Sequence, residues 1–443
     1  MRRAIEFIYI DSGGGHRAAA QALAEVIERQ QRPWDVRMVC IQDLFDSIDL
    51  IRKSTGIPFQ EVYNIMLRHG WTLGSAQLVP LMHAVIRLLH GSQVRVLTEH
   101  WAETQPDMVV SLIPHYNRAF REALESGCPG TPLVTVLTDI ADYPPHFWLE
   151  RQSQYAICGS RRAVEQARAL GLEPAHILEA SGMILNPRFY QPREVDRGRE
   201  RERLGLDPGR LTGIVLFGGE GSMEMVKIAR VLDAAGLPTQ LILLCGRHQE
   251  AARTLRALPS RIPMRVEGFT REVPHFMALA DYFIGKPGPG SISEALAMHL
   301  PVVVERNAWT LVHERYNADW VLEQGVGMVV GSFSELPDAV RKLLDPVRYQ
   351  AYRERAAAVR NAAVFEIPEM LAGIFQCKRR AARLPLPAAE TAKRSARSAA
   401  SAGVHPALYS CPLGWGGGAV EFGAGLPSTV FGSINSMRVP SGS

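Results

Sequence analysis

The chain has 443 residues, an apolar fraction of 47% and a formal net charge of +4. This is more than one ordinary domain needs and suits two domains and a tail, with enough apolar residue for real cores and no charge excess that calls for nucleic acid. The six cysteines (Cys40, Cys128, Cys158, Cys245, Cys377 and Cys411) are scattered without a CxxC pair, which speaks against a zinc site or a disulfide framework and for a reducing compartment.

AIEFIYI (4–10) reads as a buried strand that runs directly into the turn DSGGGHRAAA (11–20). The helix after the glycines puts Ala20, Leu23, Ala24 and Ile27 on one face. DVRMVCI (35–41), DMVVSLI (107–113), PLVTVLT (132–138) and QYAICG (154–159) are further strands, with helical segments between most of them. Residues 186–212 are charged, Pro-rich and weakly periodic, and read as a linker. The alternation then restarts with TGIVLFGG (212–219), TQLILLCG (239–246), MRVEGF (264–269), DYFIGK (281–286) and LPVVVE (300–305). Repeated βα units predict an α/β fold with parallel, doubly wound sheets. Two Rossmann-like domains, 1–190 and 195–376, are expected to face each other across a cleft. Beyond Cys377 the chain is basic, then rich in Gly, Ser, Pro and Ala, and 377–443 is expected to be a disordered tail.

Ligands of open α/β sheets sit at the carboxyl ends of strands, where the glycine turns fall. Gly13, Gly14 and Gly15 open backbone N–H groups toward a helix N-terminus, which is also what a tight strand-to-helix connection requires. The turn matches neither GxGxxG nor GxxxxGK[ST]. His16 enters that helix at its positive end, which favours a neutral imidazole able to accept a proton near pH 7. FGGEGS (217–222) and GKPGPGSISEAL (285–296) repeat the strand-turn-helix pattern. Ser291 and Glu294 fit two readings. One is a capping box; the other is a phosphate contact at Gly290 and Ser291 with Glu294 on a ribose diol. No DxD or carboxylate cluster calls for a metal, and no cofactor is expected.

The ordered motifs SGGGHRAAA, TDIADYPPHFW, GMILNPRFY, FGGEGS, LLCGR, VEGFT, GKPGPGSISEA and HERYNADWV resemble glycosyltransferase family 28, and within it the diacylglycerol glycosyltransferases, over about 1–376. The resemblance implies a GT-B fold and an inverting, metal-independent transfer from UDP-galactose or UDP-glucose to a lipid hydroxyl. By position, it implies Gly219 and Gly221 at the pyrophosphate and the main chain of Phe269 and Thr270 at uracil. It likewise implies Ser291 at phosphate, Glu294 at ribose, and Glu314 and Asn317 at the sugar hydroxyls. His16 would be the base or an acceptor contact, and Asp139 a second carboxylate at the cleft. Three positions depart from the pattern: Pro144 and Phe147 stand where relatives have His and Trp, with His146 and Trp148 nearby but shifted, and His313 replaces the Gln of QExxN.

A diacylglycerol acceptor, or a related lipid, requires contact with a membrane. Residues 57–95 carry Phe59, Val62, Tyr63, Met66 and Leu67 on one helical face, then LVPLMHAVIRLL, with Trp71 between and arginines at the margins. Apolar faces flanked by basic residues suit an anionic lipid surface, although an aliphatic stripe also suits a core helix. No uncharged apolar run reaches the roughly 18 residues of a span, and no signal peptide is evident. The protein is therefore expected to be cytoplasmic and peripheral on the inner face of the plasma membrane. Two other readings remain: a UDP-sugar 2-epimerase of the same architecture, and a non-catalytic UDP-sugar-binding protein.

Overall fold

The structure, a computed structural model, describes residues 2–11, 14–46, 75–191 and 194–383, all within one compact unit. The first sheet holds β1 (Arg3–Tyr9), β2 (Trp34–Cys40), β3 (Met108–Ser111), β4 (Leu133–Val136), β5 (Tyr155–Cys158) and β6 (Ile177–Glu179). The second holds β7 (Leu211–Leu216), β8 (Thr239–Leu244), β9 (Met264–Glu267), β10 (Tyr282–Gly285), β11 (Val302–Glu305) and β12 (Gly327–Val330). Their orders are β2-β1-β3-β4-β5-β6 and β12-β11-β10-β7-β8-β9, with every pairing parallel.

Strands covered on both faces read as continuous apolar runs, as TQLILL does. Their side chains still alternate between two cores. In the second sheet Val215, Leu241, Leu243 and Ile284 enter one core, while Ile214, Leu216, Ile242, Leu244 and Phe283 enter the other. The helix Ser75–Thr104 docks on the first sheet through Leu97 and Trp101. Trp101 donates its indole N–H to the buried Glu6 of β1 at 2.9 Å.

The sequence reading meets three differences here. β6 and β12 are short edge strands whose apolar runs are too brief to stand out. At Gly327 an added Cβ would lie 1.9 Å from the Val302 carbonyl, so only a glycine lets β12 pair so closely.

Residues 186–212 are not a bare linker. They contain the helix Arg197–Arg203, and Phe189, Leu204 and Leu206 join the core of the second sheet. Arg201 is buried there, donating to the Leu279 carbonyl and to Asp281 at 2.6 Å. A five-donor guanidinium can be buried when each donor finds an acceptor, and a charge-rich sequence gives no hint of that.

The helix Ala363–Arg383, placed on sequence with the second domain as far as 376, packs instead on the helix Gly15–Arg29 of the first half. Phe375 lies between Trp34, 5.7 Å away by ring centroids, and the Arg3 guanidinium at 4.2 Å. The amphipathic stretch at 57–74, the side chains of 75–85 and the tail beyond 383 lie outside the described residues. Among the described residues no helix is long and apolar enough to cross a membrane.

Candidate active site

In each sheet the strand order reverses beside the first strand, between β1 and β3 and between β7 and β10. Such a switch point opens a crevice at the carboxyl edge of the sheet. The turn carrying His16 follows β1, and the turn carrying Gly219 and Gly221 follows β7.

His16 is the second residue of its helix, after Gly14 in the left-handed conformation (φ 80°). Its Nδ1 lies 2.8 Å from the Leu112 carbonyl, just past β3. A carbonyl only accepts, so Nδ1 carries the proton and Nε2 keeps its lone pair. The Thr138 hydroxyl oxygen lies 3.1 Å from the same Nδ1 and shares that proton. Burial lowers the pKa of His16, and its neighbour His313 lowers it further; the charge of Asp139 and the Leu112 bond oppose them and do not win. The imidazole is therefore neutral at pH 7, as its place at a helix N-terminus predicts.

Asp139 is buried in the loop after β4. Its Oδ2 accepts the indole N–H of Trp148 at 2.9 Å, and the Trp148 ring lies 5.9 Å from that of His16. Asp139 thus acts on His16 through its charge and through the tryptophan, with no direct hydrogen bond between the two. Asp142 shapes the rest of the loop by accepting the backbone N–H of Trp148 at 2.7 Å and of His146 at 3.2 Å. Burial raises the Asp142 pKa despite these bonds.

On the second sheet the loops after β7 and β8 interlock. Gly221 has φ +72°, and an added Cβ would sit 2.1 Å from the Cys245 carbonyl; at Gly246 it would sit 2.2 Å from that of Gly219. Arg247 donates its backbone N–H to the Gly219 carbonyl at 2.9 Å and its guanidinium to Glu220 at 2.9 Å. The same guanidinium lies over the exposed Phe269 ring, 4.8 Å from its centroid. Thr270 accepts the backbone N–H of Glu272 at 3.0 Å and closes the turn after β9. Gly219, Gly221, Phe269 and Thr270 therefore share one edge of the sheet.

The helix Pro289–Ala297 begins after Gly288, with no side-chain cap. Ser291 is its third residue, so the capping-box reading of Ser291 and Glu294 does not hold. Gly290 is exposed, with no atom within 4 Å of an added Cβ, and the helix N-terminus is open there. Glu294, one turn in and partly buried, has its pKa pushed up to about 7 by burial alone.

Glu314 is buried and pairs with Lys286 at 2.7 Å. The charges of Lys286 and His313 overcome the cost of burial and lower the Glu314 pKa. Asn317 is enclosed beneath the loop and donates to the Pro287 carbonyl at 2.9 Å. In this arrangement it braces the nucleotide-side loop and does not face open space. Three contributors escaped the sequence reading: Arg247, Lys286 and the Leu112 carbonyl. Arg247 and Lys286 stand inside quoted motifs, but only packing reveals their partners.

Two doubly wound parallel sheets with glycine turns at both switch points make up the GT-B fold. Residues 214–367 match the glycosyltransferase family 28 C-terminal domain. The chain is monogalactosyldiacylglycerol synthase-like over most of its length. It is 28% identical to the chloroplastic monogalactosyldiacylglycerol synthase of Spinacia oleracea over 383 residues, 81% of this chain and 70% of the relative. It is also 28% identical to monogalactosyldiacylglycerol synthase 1 of Arabidopsis thaliana, over 81% of this chain and 67% of the relative. Among solved structures it shares its fold with MurG of Acinetobacter baumannii, with TM-score 0.55, 12% identity, and 84% and 99% of the two chains covered. A Listeria monocytogenes protein described as a UDP-N-acetylglucosamine 2-epimerase has TM-score 0.53 and 16% identity, with 84% and 96% covered.

Proposed function

We propose that the protein transfers galactose or glucose from a UDP-sugar to the hydroxyl of diacylglycerol or a related lipid, with inversion at the anomeric carbon. The observation that carries this reading is the hydrogen bond from His16 Nδ1 to Leu112, which leaves Nε2 as a base at a switch point. UDP occupies the edge formed by the turns after β7, β8, β9 and β10, with its diphosphate at Gly219, Gly221 and the open N-terminus at Gly290 and Ser291. Glu294 takes the ribose, and Glu314, kept charged by Lys286, takes the sugar hydroxyls.

The acceptor oxygen forms its bond to the anomeric carbon as the bond from that carbon to the UDP oxygen breaks. The acceptor proton passes to His16 Nε2, and the electron pair leaves with UDP. Helix N-termini stabilise the leaving diphosphate as its charge develops, and no metal is needed in this scheme. Chelation with EDTA accordingly leaves turnover intact. The enzyme works from the cytoplasmic side, on an anionic membrane surface.

The deciding experiment incubates the full chain with diacylglycerol vesicles and labelled UDP-galactose or UDP-glucose, followed by lipid extraction. Labelled glycolipid from one donor establishes the reaction and the sugar together. Isomerisation of a UDP-N-acetylhexosamine with no acceptor present would replace this reading with the epimerase. UDP binding without turnover across acceptors would replace it with a non-catalytic binding protein.

A further inference from the structure

Phe147 and His313 come from opposite halves of the chain and stack, their centroids 5.4 Å apart and their planes within 13°. A second pair, Tyr143 and Tyr316, joins the same two segments at 5.3 Å. The Phe147 side is fixed in place. Its carbonyl accepts the His115 N–H at 2.8 Å, the His115 ring meets its edge at 4.2 Å, and the following Trp148 is held by Asp142 and Asp139. The His313 side is fixed too. Glu314 pairs with Lys286, and Arg315 donates to the Thr310 carbonyl at 3.1 Å.

We propose that His313 is a positioning residue whose ring, stacked on Phe147, latches the loop framing the His16 base to the segment at the mouth of the nucleotide site. The proposal rests on the reading of His16 as that base. His313 stands where the resembling motif has glutamine, which offers neither a ring nor a titratable charge. Two stacked flat rings attract each other beyond the area they bury, an attraction that the flexible side chain of glutamine does not supply. His313 also lowers the His16 pKa through its charge. The other groups around the contact are Asp139 and His115 from the first half, and Glu314 with its partner Lys286 from the second. Asp139 and His313 act on His16 in opposite directions, and the contact between the halves decides how strongly His313 is felt.

The test is an NMR titration of the histidine rings in the full chain, comparing wild type with His313→Phe, His313→Gln and Phe147→Leu. His313→Phe keeps an aromatic stack without the charge, and His313→Gln removes both. In each, the His16 midpoint is expected to rise, as it does when a nearby like charge is lost. Phe147→Leu keeps His313 but removes the ring that places it, and is expected to raise the His16 midpoint as well. An unchanged His16 midpoint in the His313 variants, or in Phe147→Leu, overturns the latch. Should His313→Phe fail to fold, His313→Gln and Phe147→Leu probe the same contact from its two sides. None of these readings needs turnover, so a protein that transfers no sugar to vesicles still returns an answer on the latch.

Discussion

The Nδ1–H of His16 is committed to Leu112, and Asp139 is committed to Trp148, which leaves Nε2 of His16 as a basic lone pair at this switch point. Replacing His16 with Ala is expected to cut kcat by about 10²–10⁴, the usual range for a positioned base, while UDP affinity stays near wild type. Because the His16 pKa lies below its ordinary 6.5, the ring stays neutral through pH 7, and kcat/KM falls only as pH drops below that ordinary value. A limb centred above 6.5 would exclude His16 as its source. Glu294 makes a different prediction. With a pKa of about 7 it is roughly half protonated at neutral pH in the free protein. A ribose diol donates hydrogen bonds to the charged carboxylate and lowers that pKa, so UDP binding releases protons. Calorimetry at pH 7 in two buffers of different ionisation enthalpy reads this release, and Glu294→Gln abolishes it. Proton uptake, or none, would remove Glu294 from the ribose. Neither residue's environment follows from its neighbours in sequence: His16 needs a carbonyl 96 residues away.

Elements were legible wherever an apolar run and a turn signal coincide. AIEFIYI, TQLILLCG and DYFIGK became β1, β8 and β10 with ends shifted by a few residues, because a strand stops where its ladder stops. The helix Arg197–Arg203 was hidden because its sequence, RGRERER, has no apolar face at all. What holds it is the pair of ions formed by Arg201 and Arg197 with Asp281, which also accepts the backbone N–H of Thr212 at the start of β7. Arg201→Ala leaves a buried carboxylate short of a partner and is expected to cost about 3–5 kcal/mol in urea unfolding. Asp281→Asn turns an amide donor onto an Arg or Thr212 N–H and leaves the buried Arg201 cation without its carboxylate, and should cost at least as much. If Arg201→Ala unfolds within about 0.5 kcal/mol of wild type, the segment is the linker its composition implies.

For the molecule as a whole, the crossing of the helix Ala363–Arg383 onto the first half is the feature that chain order conceals. Val364, Ile367, Leu371, Ile374 and Phe375 are buried along one face, a helical spacing that any packing partner would satisfy. The partner is marked by contacts far apart in sequence: Phe375 with Trp34 and Arg3, Arg32 with Glu369, and Ser181 with Glu366 and Ala362. Phe375→Ala is expected to cost about 3–5 kcal/mol, as truncation of a buried aromatic usually does. The loss should register in the unfolding of the first half, followed by the fluorescence of Trp34. A transition unchanged there would mean that the helix is not integral to that half.

The sequence by itself determined the βα alternation, two parallel doubly wound sheets, and the glycine turns with His16 and Glu294 as the residues to examine. These are local properties: periodicity, turn chemistry and a residue's place at a helix start act over a few positions of chain. Only the tertiary structure decided which tautomer His16 adopts, that Ser291 lies inside its helix, that Asn317 braces a loop, and that Phe147 meets His313. Each of these depends on which atom of a distant element approaches a polar group or ring, and short-range pattern carries no record of that approach.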